Sequence, residues 1–173
     1  MELSGIRNVI VQVVAVMMSI ALSTGAFASD GESLRLECQQ KLETLDYVGL
    51  RQASGKLYEK AVSEKDIRLE AYACFYLSAA ELKTGLVKNA YRHAFASDSL
   101  ASIAGSDTLR AAALNVLGII ANEYNRNNAL ALGYYLNALD DAGRVSYNKM
   151  LGGIYSNISL LFISHNDTAG LRD

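Results

Sequence analysis

Small residues recur along this chain at an almost constant interval. Counting from Cys38, they stand at Ser78, Gly118 and Ser159, at spacings of 40, 40 and 41 residues. Each lies near the middle of a helical-looking segment and is followed by a turn signal: Asp46-Tyr47, Thr84-Gly85, Asn127-Asn128 and Asn166-Asp167. A fixed period in this range signals stacked supersecondary units, none of which buries its apolar face alone. The feature constrains architecture tightly and function only by class.

The units read as helical hairpins. The first spans Ser33–Leu45 and Val48–Val62, the second Ile67–Lys83 and Leu86–Ile103, the third Thr108–Tyr124 and Ala129–Asp141. A fourth begins with Tyr147–Ser164, and a last segment starts near Ala169. The chain has no proline, the residue that breaks helix interiors at about 3 kcal/mol each. Leu114, Leu117, Ala121 and Tyr124 share one helical face, as do Leu132, Tyr135, Ala138 and Leu139, and no long strict alternation points to strands. Ser63 with Asp66, and Ser106 or Asp107, are placed to cap first turns.

Residues 1–28 are of another kind. Arg7 precedes an apolar run from Val9 to Leu22, and Ala26-Phe27-Ala28 offers a small-x-small cleavage site before Ser29-Asp30. This pattern is that of a secretory signal peptide, with an uncleaved membrane anchor as the alternative. The run has 14 residues, short of the ~20 that cross a bilayer. Residues 29–173 are then a mature helical domain in a periplasmic or secreted setting. There Cys38 and Cys74 are either bridged or remain two buried thiols.

From Leu117 to Leu139 the stretch LGIIANEYNRNNALALGYYLNAL resembles a tetratricopeptide repeat. Leu117-Gly118, Ala131, Tyr135 and Ala138 stand where that family's pattern wants Leu-Gly, small, aromatic and small residues. The second unit offers Leu77, Ser78, Ala90, Ala94 and Ser97, and the first Glu37, Cys38, Leu50, Ser54 and Leu57. The fourth supplies Ile158, Ser159 and Phe162. From Leu57 to Ser78, Ser97 to Gly118 and Ala138 to Ser159 is 21 residues each time, about six more than the family's usual ~34-residue unit allows. Repeats of this longer kind resemble those in sensor regions of bacterial signalling proteins.

The resemblance implies an all-α superhelix of about three and a half stacked hairpins, whose first helices line a concave groove. Carried over, the groove positions are Arg35, Gln39 and Glu43, then Tyr72, Phe75, Leu82 and Lys83, then Asn115, Ile119, Asn122 and Glu123, then Ser156 and Leu160. Their mixed aromatic, amide and charged chemistry suits a protein or peptide ligand. The pattern that clamps a peptide carboxylate in some relatives is not reproduced. Against the groove stands the ordinary burial preference of Phe75 and Ile119 for a core.

Net charge is −2 with both signs interspersed, so nucleic acid is not an expected partner. His93 and His165 are alone on their helices, and no phosphate loop, nucleophile elbow or zinc motif occurs. No cofactor and no catalytic role are expected. Gly152-Gly153 reads as close packing or a bend, Asp140-Asp141 as a solvated helix end. Asn157-Ile158-Ser159 and Asn166-Asp167-Thr168 match a common glycosylation pattern.

The last helix lacks a partner to cover Ile154, Ile158, Leu161 and Phe162. The expectation is therefore a continuation beyond residue 173, with a membrane segment or a diguanylate cyclase, histidine kinase or DNA-binding output, or self-association through the open end. The leading expectation is an exported interaction scaffold, the sensor part of a signalling protein. A stand-alone adaptor of an envelope assembly complex is the alternative.

Overall fold

Each reversal of the chain is built around one residue in the left-handed region of backbone space. The computed structural model describes residues 30–169, with side-chain surroundings through residue 163. Its helices are α1 Asp30–Glu43, α2 Tyr47–Glu64, α3 Ile67–Lys83, α4 Val87–Ile103, α5 Asp107–Glu123, α6 Asn128–Arg144 and α7 Asn148–Ala169, with no strand among the described residues. Between them, Leu45, Lys65, Gly85, Gly105, Arg126 and Ser146 take φ values from 50° to 80°. The N–H just after each such residue then reaches back to an otherwise free carbonyl. Asp46 donates to Lys41, Asp66 to Ala61, Leu86 to Glu81, Ser106 to Ala101 and Tyr147 to Ala142. The turn at 124–127 holds one residue more, and there Asn127 N–H reaches Ala121. That extra residue is why the last spacing is 41 and not 40.

Helix starts are fixed by side chains at three places. The carboxylates of Asp46 and Asp66 accept from the N–H groups of Gly49 and Leu69, and Asn127 Oδ1 from Leu130 N–H. Ser106, expected to cap α5, makes no such bond. Some ends also differ from the sequence reading. Helix α1 begins at Asp30, α6 continues to Arg144, and α7 runs through Asn166-Asp167 to Ala169 where a turn was expected. Asn and Asp each lower helix propensity by less than about 1 kcal/mol, too little to end a helix alone.

The helices stack in two layers. The first helices α1, α3, α5 and α7 touch one another in succession, whereas α2, α4 and α6 touch only first helices and never each other. One layer therefore converges while the other splays, and the stack curves with the first helices on its concave side. This is the all-α solenoid of helical hairpins expected from the period.

Apolar burial follows the repeat. One cluster joins Cys38, Leu50 and Leu57 to Tyr76 and Ala80, and a larger one joins Leu114, Leu117 and Ile120 to Tyr135, Ile154 and Leu161. Ala71, Ala101 and Leu109 form a third between them, and half-buried Phe75 packs against all three. Gly118 lies directly beneath the Tyr135 ring, where a β-carbon would collide with it. Ile154 and Leu161 are buried against the preceding hairpin, which corrects the expectation that they lie uncovered. Of that set Phe162 is open, 53% exposed.

Candidate functional site

A cavity of about 550 Å³ opens on the concave face. The floor is aromatic and aliphatic: Tyr72, Phe75 and Tyr76 of α3 beside Leu109 of α5 and Met150 of α7. Tyr72 and Tyr76 stack with ring centroids 6.2 Å apart, and Phe75 meets Tyr76 at 5.3 Å. Such ring pairs lie within the 4.5–7 Å range of favourable aromatic contact. Burial pushes the Tyr76 hydroxyl up to about 12, so it stays protonated and serves as a hydrogen-bonding group.

One wall is a polar ladder along α1. Arg35 Nε donates to Glu32 Oε1 at 2.8 Å and Arg35 Nη1 to Gln39 Oε1 at 3.4 Å. Gln39 Nε2 in turn donates to Glu43 Oε1 at 3.1 Å. These residues sit three or four apart and so share one helix face. The Arg35 guanidinium also lies 5.1 Å from the Tyr72 ring centroid, a cation–π contact linking ladder to floor. Tyr147 and Lys149 close the opposite side.

The structure thus brings together Arg35, Gln39, Glu43, Tyr72 and Phe75 of the expected groove set. Lys83, Asn115, Asn122 and Glu123 do not line the cavity. Lys83 and Glu123 are exposed last residues of α3 and α5. Asn122 is half-buried, and Asn115 accepts a hydrogen bond from Asn157 Nδ2 at 2.9 Å, joining α5 to α7. Leu82 is buried core and Ile119 packs against it, while exposed Ser156 and Leu160 stand off the cavity.

The reason is an oblique path. The cavity takes α1 from Arg35 to Glu43, the middle of α3 and the first turns of α5 and α7. Each successive hairpin contributes residues nearer the start of its first helix, so the later positions of the register, from Asn115 onward, fall outside the cavity. Sequence reasoning consequently missed Tyr76, Leu109 and Met150 of the floor, and Leu42, Leu45, Thr108, Ala112, Tyr147 and Lys149 around it. Exposed Tyr147 beside a turn was the one available signal.

Other polar groups are tied into the scaffold. Cys38 and Cys74 are buried free thiols, each pushed up to about 12 by burial, with acidic neighbours adding to the shift. Cys74 stands one turn before Ser78, the counterpart of Cys38, which sets the two at different heights. His93, alone on its own helix, meets buried Glu81 of α3 across the hairpin, Nδ1 to Oε2 at 2.6 Å.

Asp141, expected in solvent, is 1% exposed. Because α6 extends to Arg144, Asp141 faces inward, with Arg110 Nε at 3.2 Å and Arg144 Nη1 at 3.5 Å. Arg110 also pairs with Asp98 of α4 at 3.5 Å. Burial raises the carboxyls of both Asp98 and Asp141, and the Arg110 charge opposes it.

Among the described residues no three His, Cys, Asp or Glu side chains gather as a ligand set, and no helix is long and apolar enough to cross a membrane. The signal-like segment and the segment expected near Ala169, with His165 and the second glycosylation pattern, fall outside the described side chains. Compared with protein-family models, curated proteins and solved structures, the chain matches none.

Proposed function

We propose that this chain is a protein-interaction scaffold that grips a peptide or a partner's helix in the oblique concave cavity. The observation that carries the reading is the pairing of an aromatic floor with a polar wall across the four first helices α1, α3, α5 and α7. Apolar pockets of this kind take side-chain anchors, while Gln39, Glu43 and Lys149 offer donors and acceptors to a ligand's backbone and charges. In this reading the units are long tetratricopeptide repeats and the chain is a binding module, not an enzyme. Export rests on Val9–Leu22 and Ala26-Phe27-Ala28, and makes the scaffold the periplasmic ligand-binding part of a signalling protein.

The test is to pan a displayed peptide library on the chain and measure affinities of enriched peptides by fluorescence polarisation. Tyr147→Ala and Lys149→Glu, both on exposed residues, should weaken binding at least tenfold without loss of helicity. Lys83→Ala and Glu123→Ala should leave it unchanged. Phe75→Ala is unsuitable, because Phe75 also joins the three core clusters. Peptide binding indifferent to the cavity variants rejects the reading.

A further inference from the structure

Helix α7 exposes a stripe that its counterparts α3 and α5 bury. In α5 the residues Ala111, Leu114, Gly118 and Ala121 are buried; Ala111, Leu114 and Ala121 share the core cluster with Ala131, Tyr135 and Ala138 of α6, and Gly118 lies beneath the Tyr135 ring. The equivalent residues of α7, 41 positions on, are Gly152, Tyr155, Ser159 and Phe162. All four are exposed: Tyr155 to 58% and Phe162 to 53%. Nothing described approaches where a Gly152 β-carbon would stand. The opposite face of α7 is occupied, by Ile154 and Leu161 in the core and by Asn157 bonded to Asn115.

The stripe is its own complement. Read in one direction it runs small, ring, small, ring. In an antiparallel pair of α7 helices centred on Asn157, Tyr155 faces Ser159 of the second copy, and Gly152 faces Phe162 of the second copy. Every ring then meets a small residue, as Tyr135 meets Gly118 inside the third hairpin. Ser159 can enter a dry contact without loss, since its Oγ already donates to the Tyr155 carbonyl at 2.9 Å. From Leu151 to Ile163 the helix has no charged residue, so close antiparallel approach brings no like-charge repulsion and no stranded ion. Such a contact is isologous and closes at two copies.

We propose that this chain forms a two-fold dimer through antiparallel packing of α7, each Tyr155 seated on the other copy's Ser159 and each Phe162 on its Gly152. The contact is independent of the concave cavity. A single pair of helices is a small interface, so weak, micromolar association is expected.

Sedimentation velocity of the full chain from about 1 to 500 μM reads the equilibrium, a span chosen to bracket that affinity. The parent chain should dimerise. Ser159→Tyr sets ring against ring at both ends of the pair and should weaken association at least tenfold. Adding Tyr155→Ser to Ser159→Tyr exchanges the two sizes, keeps every ring opposite a small residue, and should restore the dimer. Helicity should be the same in all three, because both positions are open in the single copy. A chain that stays monomeric throughout overturns the proposal. So does a dimer indifferent to Ser159→Tyr, or a double variant that fails to recover.

Discussion

Gly118 and Asp141 mark two ways in which a single position depends on its surroundings. Gly118 has a local sequence signature, the Leu-Gly pair, and its reason is close approach: the Tyr135 ring fills the space a side chain would need. Gly118→Ala should therefore destabilise by about 1–3 kcal/mol through overpacking, although alanine is the better helix former. Urea unfolding followed by circular dichroism checks this, and unchanged or raised stability would show that the helices separate at little cost. Asp141 has no such signature. Its neighbours Asp140, Gly143 and Arg144 read as a wet helix end, and only the packing of α6 on α5 encloses it beside Arg110. Because burial raises its pKa, the folded state takes up the proton before the unfolded chain does as pH falls from neutral. Acidification toward pH ~4 should therefore favour wild type relative to Asp141→Asn. Unfolding free energies of both proteins at neutral and mildly acidic pH give the sign. A gap that moves the other way means the Arg110 and Arg144 charges outweigh burial.

At the scale of elements, turn chemistry was readable because it is local. Asp46, Asp66 and Asn127 cap the helices they precede, and Gly85 and Gly105 supply left-handed turns. Leu45, Lys65, Arg126 and Ser146 adopt the same backbone without glycine's freedom, so their turns are imposed by the helices they join. Ser106 shows the converse: a good capping residue next to a helix, with no capping bond. Asp66→Ala should accordingly cost about 0.5–2 kcal/mol and Ser106→Ala less than about 0.5 kcal/mol, read from thermal or urea unfolding. Equal losses at both would mean that cap bonds do not govern these helix starts. Helix α7 passing through Asn166-Asp167 follows the same logic, since a weak local breaker does not by itself reverse a chain.

Across the whole molecule, the contacts among first helices and their absence among second helices set the curvature. That geometry decides which residues share the concave cavity. Arg35, Gln39, Tyr72 and Phe75 were legible because they belong to adjacent first helices near the same height. Asn115, Asn122 and Glu123 were assigned by the same register and missed it, because rotation between hairpins carries the cavity toward the first turns of α5 and α7. The Arg110 bridge between Asp98 of α4 and Asp141 of α6 spans two hairpins whose outer helices do not touch. It ties the splayed side together where apolar contact is missing.

Sequence alone determined the helical hairpins, their order, their near-constant length and the small residues that let paired helices approach. Each of these depends on neighbours within about one repeat, and the 40-residue period repeats that information. Tertiary structure decided which side chains meet across hairpins, which acidic groups are enclosed, and which face of α7 stands open. Those outcomes depend on a small rotation at each junction that accumulates along the stack, and no single segment encodes that sum.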